Sequence, residues 1–420
     1  MSEAVPLTGQ LTATGGKRQS TAFIPLYVLA YFGSALAITS AATVAIPLRL
    51  STLDPANKTQ LLSLVIAIGG VVVMLVTAPL GRFSDISTSR FGTRRPFIVG
   101  GAVFGACGML VLASAGSFPL VVAGWGLTQA GFAATTMGLQ ALLAEAIPIL
   151  VRARVSAMFG LATGIAPFVG GSLIGVLPGN PLWWFGVPAV VALATDVAVV
   201  LVLRDEVRTE RVRVDWRSLL RSYWINPVRH RDFAWAWCCR LLVTMSLATV
   251  SIYLLYFLTD RLGIATDDAA RASGSVLGAY FAGSVTTALV FSWISDRTGK
   301  RKLIVWTSAL LTAAGLLVSL FAQGLPVFVA GIAIAGMGQG AFVAVDMAML
   351  TEVLPVTSEP GAGLAVIALS YQFPQLLVPV LATVLLAIGD AGPNYFALFL
   401  SSVVAAVLGA LAVLPIKTVS

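Results

Sequence analysis

GRFSDISTSRFGTRRPFI, from Gly81 to Ile98, separates two apolar stretches, 61–81 and 97–117. It gathers Arg82, Arg90, Arg94, Arg95 and Asp85 in a chain where only 10% of residues are charged. A shorter version follows later: SWISD (Ser292 to Asp296) ends an apolar stretch as GRFSD (Gly81 to Asp85) does, and Gly299 follows it as Gly92 follows Asp85. LLAEAIP (Leu142 to Pro148) and MLTEVLP (Met349 to Pro355) are a second matched pair. Asp85 and Asp296 lie 211 positions apart, and Glu145 and Glu352 lie 207 apart. A four-residue insertion between Asp85 and Gly92 accounts for the difference, and in that register Gly131 aligns with Gly338. The chain reads as two copies of one unit.

That unit belongs in a membrane. Of 420 residues, 58% are apolar, and the mean hydropathy is +0.93. Disorder is excluded by this balance, and a soluble enzyme of this length would need far more surface charge. A helix needs about 20 residues to cross ~30 Å of hydrocarbon. Twelve such spans are predicted, at 22–48, 61–81, 97–117, 119–147, 155–177, 182–203, 233–259, 270–294, 303–322, 326–352, 363–388 and 393–415. The expected fold is all-α integral membrane, with twelve transmembrane helices in two pseudo-symmetric six-helix bundles. A tail (1–21) precedes the first bundle (22–203); a basic linker (204–232), the second bundle (233–415) and a tail (416–420) follow. Within the linker, Trp216, Leu219, Leu220, Tyr223 and Trp224 recur at helical spacing, as in an amphipathic helix lying on a membrane surface.

The formal net charge of +8 reflects topology. Of the 26 Lys and Arg, 21 fall in segments on the side of the termini, and four (Arg49, Lys58, Arg261, Arg271) fall on the other; Arg240 lies within a span. The positive-inside rule then places both termini in the cytoplasm of a multi-pass protein of the cell (plasma) membrane. Basic runs spaced this way predict contact with lipid headgroups and no nucleic-acid partner. Cys107, Cys238 and Cys239 sit in or beside apolar segments, where small buried hydrophobes are expected, and His230 is the only histidine. Neither a metal site nor a resident cofactor is expected.

At these residues a family resemblance appears. The Gly81–Ile98 segment resembles the loop between spans two and three of the major facilitator superfamily. Its expanded form, S-D-x-x-x-S-R-x-G-x-R-R-P-F-I, is most similar to the branch holding sucrose transporters and glycoside–pentoside–hexuronide symporters, and PQLLVP (Pro374 to Pro379) fits the same branch. The resemblance implies alternating access around a midplane site, with the loop as a cytoplasmic gate. Gly81, Asp85, Arg90, Gly92, Arg94, Arg95 and Glu145 would form that gate, with Asp296, Arg301 and Glu352 as second-half equivalents. It also implies proton-coupled uptake of a sugar or glycoside. The span-four aspartate of sucrose transporters has no counterpart here before Glu145, and APFVGG (Ala166 to Gly171) partly resembles an element of drug/proton antiporters. Efflux of a metabolite or drug therefore stands as the alternative direction.

Charges deep in a bilayer are costly and mark function. Arg240 lies eight residues past Asp232, and Asp346 six residues before Glu352. Both are at similar depth and of opposite sign, so a pair is expected, serving as a proton switch or as a structural tie. Asp196 in span six is expected to snorkel or bond locally. Neutral polar groups suit a hydroxyl-rich ligand: Gln129 and Gln140 in span four, Gln339 in span ten, Tyr371 and Gln372 in span eleven, with Trp125 to stack on a sugar ring. Trp183, Trp184 and Trp293 are expected as interfacial anchors. A membrane transferase would need paired carboxylates for a metal–diphosphate, and no DxxxD or DDxxD occurs; no P-loop occurs either. The reading is a monomeric secondary transporter of a small molecule, with no catalytic residues and a proton as coupling ion.

Overall fold

The computed structural model describes residues 20, 22–87, 89–205, 229–353, 360–389 and 392–417. The expected linker helix around Trp216–Trp224 lies outside these residues, as does the side chain of Asp85. Among the described residues there are twelve long helices and no strand. The first half holds α1 (Phe23–Leu53), α2 (Lys58–Ile86), α3 (Arg95–Ser114), α4 (Phe118–Glu145), α5 (Ile149–Val176) and α6 (Pro181–Val202). The second holds α7 (Arg231–Arg261), α8 (Thr266–Thr298), α9 (Arg301–Leu320), α10 (Leu325–Glu352), α11 (Pro360–Leu386) and α12 (Tyr395–Val413). α1 and α7 each contain a π-helical turn, at Ala41–Ala45 and Phe257–Arg261.

Local sequence sets the ends. Pro96, Pro119, Pro181 and Pro326 stand in first helical turns, where the missing N–H costs nothing. Asn180 and Asn394 cap α6 and α12 by accepting bonds from Leu182 N and Ala397 N, both at 2.9 Å. Gly299, at φ 66°, closes α8. Several helices exceed the predicted spans; α8 runs 33 residues, because backbone hydrogen bonding continues past the hydrocarbon.

Eleven of the twelve are long and apolar enough to cross a membrane. The exception is α4, whose 28 residues include Gly124, Gly126, Gly131 and Gly138 beside Thr128, Gln129, Thr135, Thr136 and Gln140. Those small residues serve packing instead of lipid contact. A methyl group at Gly131 would lie 2.2 Å from Gly105 N and 2.7 Å from Gly101 O on α3. Shifted by 207 positions, a methyl at Gly338 would lie 2.4 Å from Thr312 N and 2.7 Å from Ser308 O on α9. Gly108 against Thr128 N, and Gly315 against Ala335 N, repeat the match. The packing plan repeats too: α3 rests on α4 and α6 as α9 rests on α10 and α12, and α1 rests on α5 and α6 as α7 rests on α11 and α12. The internal repeat in the sequence is thus a repeat in backbone contacts.

The halves meet along α5 with α8, α2 with α11, and α1 with α7. The α5–α8 seam is close enough for Gly171 to face the backbone of Gly274, and Arg271 Nε donates to Gly175 O at 3.0 Å. Cross-half bonds gather at the end opposite the termini, called distal below. There Tyr256 OH donates to Pro47 O (2.9 Å), Ser63 and Tyr253 hydroxyls share a bond (2.5 Å), and Lys58 pairs with Asp260 (2.6 Å). Nearer the termini, Leu150 on α5 and Leu289 on α8 are 93% and 70% exposed.

Two expectations change, and one open alternative resolves. Cys107 is exposed, because its side of α3 faces away from the bundle, while Cys238 is half-buried and Cys239 buried. Trp183 and Trp293 are exposed, as anchors would be, but Trp184 packs into the core because it lies on the inward side of α6. Of the two courses expected of Asp196, snorkelling is not taken; it is fully buried and bonded to a neighbouring helix, accepting from Ser34 Oγ on α1 at 3.0 Å.

Candidate functional site

α7 and α10 bring Arg240 and Asp346 together in the second half. Arg240 Nη1 lies 2.7 Å from Asp346 Oδ2, with side chains 3% and 2% exposed. The guanidinium carbon also sits 4.0 Å from the ring centre of Tyr371 on α11, a cation–π contact, and Nη1 reaches Met347 Sδ at 3.7 Å. Trp237, one turn before Arg240, donates its indole N–H to Val366 O at 2.8 Å and ties α7 to α11. A buried ion pair gains little net stability, because desolvation offsets the attraction; losing one partner is what costs. Here the pair is also incompletely satisfied: Arg240 Nε and Asp346 Oδ1 are buried and have no hydrogen-bond partner. Thr244 Oγ1 on α7 and Gln339 Oε1 on α10 are in the same condition. These polar atoms sit on the two helices that carry the pair, and they offer bonding capacity to a ligand or a proton.

Tyr371 has one face against Arg240, yet 43% of the residue is exposed. Gln372 is half-buried beside it, Gln129 is half-buried, and Gln140 is exposed. Trp125 is placed differently from the expectation. Its indole is buried against Gly69 of α2, where an added methyl would meet Nε1 at 2.1 Å. In this state it presents no free face to a sugar ring. Thr39, Ser40, Thr43 and Thr249 donate to carbonyls of their own helices, the usual settlement for hydroxyls in apolar surroundings.

At the terminus end, the two halves build matching ion pairs. Arg94 grips Glu145 with two parallel bonds, Nε to Oε2 at 3.0 Å and Nη2 to Oε1 at 2.6 Å, and its Nη1 donates to Ser84 Oγ at 2.6 Å. Arg301 pairs with Glu352, the same two positions shifted by 207. Gly92, at φ 107°, lies where an added methyl would sit 2.2 Å from Asp205 Oδ2, so both its backbone angle and its lack of a side chain are required. Gly81 packs near Met137. Arg90 stacks on Phe91 at 4.8 Å, and Asp296 is exposed.

Two groups were not singled out from the sequence. Asp205, just past α6, accepts from Arg94 N (2.7 Å), Arg95 N (3.0 Å) and Thr93 Oγ1 (3.2 Å). A carboxylate thus caps the N-terminus of α3, where the helix dipole favours it, while the Arg95 guanidinium donates to Leu203 O. The second group is the distal cluster of Lys58, Tyr256, Asp260 and Tyr395. Its only signal in the sequence was one basic and one acidic residue at the ends of spans opening on the same side.

Residues 21–273 and 237–419 match the Major Facilitator Superfamily, and the chain belongs to it. No curated protein matches the chain in sequence. Among solved structures, the fold is similar to that of a bacterial homolog of the human lysosomal transporter Spinster in an inward-facing, occupied conformation. That likeness has a TM-score of 0.68 at 13% identity, over 95% of this chain and 96% of that one. The unoccupied form gives 0.66 at 13% identity, over the same shares. A variant of the nucleoside transporter NupG gives 0.74 at 11% identity, over 94% of this chain and 99% of that one. The class is therefore a multi-pass membrane transporter of two six-helix halves. It moves a solute.

Proposed function

We propose that the chain is a proton-coupled secondary transporter of a sugar- or glycoside-like solute, taking it up across the plasma membrane as a monomer with both termini cytoplasmic. The observation that carries this reading is the Arg240–Asp346 pair, buried, bonded at 2.7 Å and backed by Tyr371. When Asp346 is charged, it holds Arg240. A proton on the carboxylate cancels that attraction and frees the guanidinium, still seated on Tyr371, to bind a substrate oxygen. The exposed part of Tyr371 offers a ring for a pyranose to stack on, and Gln372 and Gln140 add neutral donors and acceptors. Sugar over other solutes is favoured by this neutral lining and by the branch-like loop Gly81–Ile98. The cytoplasmic side follows from the 21-to-4 split of basic residues. The Arg94–Glu145 and Arg301–Glu352 pairs are then gate contacts, and their strength biases the equilibrium between the two facing states.

The test is transport by purified protein in proteoliposomes. Disaccharides and lipophilic cations are first screened for thermal stabilisation, with Arg240→Ala as control. Accumulation of the hit under an inward proton gradient should vanish in Asp346→Asn, while exchange of labelled for unlabelled substrate persists. Gradient-driven accumulation in Asp346→Asn rejects the coupling role. Stabilisation by lipophilic cations alone turns the reading to efflux.

A further inference from the structure

Asp260 collects three donors at the distal end. Lys58 Nζ lies 2.6 Å from Oδ1, Thr259 Oγ1 donates to the same oxygen at 2.8 Å, and Tyr395 OH donates to Oδ2 at 2.7 Å. The donors divide by half. Thr259 on α7 and Tyr395 on α12 belong to the same half as Asp260, and only Lys58, at the start of α2, reaches across from the other. The π-helical turn Phe257–Arg261 carries both Thr259 and Asp260; such a turn inserts extra backbone into a helix and re-aims its side chains. Beneath the carboxylate, Phe257 stacks on Phe328 at 4.7 Å and packs on Phe399 at 4.2 Å, so the turn rests on a rigid aromatic floor. Lys58 is also 5.0 Å from the ring centre of Tyr256, whose hydroxyl donates to Pro47 O of the first half.

We propose that Asp260 is a gate residue of the distal end, a fixed receptor that its own half holds in place and that Lys58 of the other half engages to close that end. The proposal rests on the alternating-access reading above. Separation of the halves there breaks this ion pair together with the Tyr256–Pro47 and Ser63–Tyr253 hydrogen bonds, and the Asp260 carboxylate keeps two donors that hold it ready to reclose. The pair's side chains are 20% and 23% exposed, wet enough that the bond is weak, as a contact broken in every cycle must be. The buried Arg240–Asp346 pair, 3% and 2% exposed, is built differently and for a different task.

The experiment uses the full-length protein in detergent, with no substrate and no gradient, so its result does not depend on proton coupling. Cys107, Cys238 and Cys239 are replaced by alanine. Ser63→Cys, buried beneath the gate, reports distal opening, and Gln140→Cys, exposed on α4 toward the terminus end, reports the opposite side. The rate of alkylation by a hydrophilic maleimide is measured at each. Adding Asp260→Asn should speed labelling at position 63 about five-fold and slow it at position 140, the effect expected from losing one partly exposed ion pair. Lys58→Met, which removes only the cross-half partner and leaves Asp260 bonded to Thr259 and Tyr395, should shift both rates in the same directions. Unchanged rates in Asp260→Asn, or unchanged rates in Lys58→Met, overturn the proposal. So does acceleration at both positions together, which reports a loosened fold and not a gate.

Discussion

Among the described residues the two halves each bury one aspartate, and each meets the expense in its own way. In the second half Asp346 has a guanidinium at 2.7 Å; in the first, Asp196 has only the Ser34 hydroxyl at 3.0 Å, and its Oδ1 has no partner. The internal repeat sharpens the contrast. Asp346 lies past the insertion and, shifted by 207 positions, corresponds to Leu139, fully buried on α4; Arg240 lies before it and, shifted by 211, corresponds to Leu29 on α1. At that place the first half packs a leucine, and Tyr27 OH donates to Leu139 O at 3.0 Å. One architecture thus closes on apolar residues in one half and on an ion pair in the other. That the first half does without such a pair supports the coupling role proposed for it in the second.

The largest effect should come from breaking the pair on one side only. Arg240→Ala leaves Asp346 buried without its cation, and thermal unfolding in detergent should show a loss of about 3–5 kcal/mol. The double change Arg240→Leu with Asp346→Leu, which copies the apolar solution of the first half, should regain most of that stability while gradient-driven transport stays absent. A double variant no more stable than Arg240→Ala would mean that the halves are not interchangeable there. Next in size are the repeat's glycines. Gly131→Ala and Gly338→Ala push a methyl to within 2.2 Å and 2.4 Å of a neighbouring backbone, and each should cost about 1–3 kcal/mol, to similar extents. A large inequality between them would show that the two helix pairs are packed less alike than their contacts indicate.

Smaller effects are expected at the terminus end. Arg94 is 4% exposed with three donated bonds, and Arg301 is 29% exposed. Arg94→Ala should therefore destabilise more than Arg301→Ala, whose loss should stay near or below about 1 kcal/mol. The smallest change is Asp196→Asn. It keeps an acceptor for Ser34 and removes no ion pair, so stability should move by less than about 1 kcal/mol and proton-driven uptake should persist. Loss of proton-driven uptake in Asp196→Asn would give the first half a part in coupling.

Much of this was legible before any coordinates. The matched SD and E-x-x-P landmarks fixed the repeat, and equal depth with opposite sign singled out Arg240 and Asp346. What stayed hidden depends on which face of a helix meets which neighbour. In soluble helices polarity marks the outward face; here lipid-facing and protein-facing sides are both apolar, so Trp125 gave no sign that it packs on Gly69. Asp205 and Asp260 were hidden for another reason. Each stands at the end of a helix, where charge is ordinary, and each meets partners more than 100 positions away: Asp205 the start of α3, Asp260 both Lys58 and Tyr395. For Asp196 the sequence left snorkelling and local bonding open, and a single serine on another helix as its bonded partner has no sequence signature.

The central claim is that Asp346 exchanges a proton as Arg240 exchanges partners. Calorimetric titration of the identified substrate, repeated in buffers of differing ionisation enthalpy, counts the protons taken up or released per substrate bound. The account predicts about one proton for the wild-type protein and none for Asp346→Asn, with binding itself retained. An equal proton count in the two proteins would contradict it.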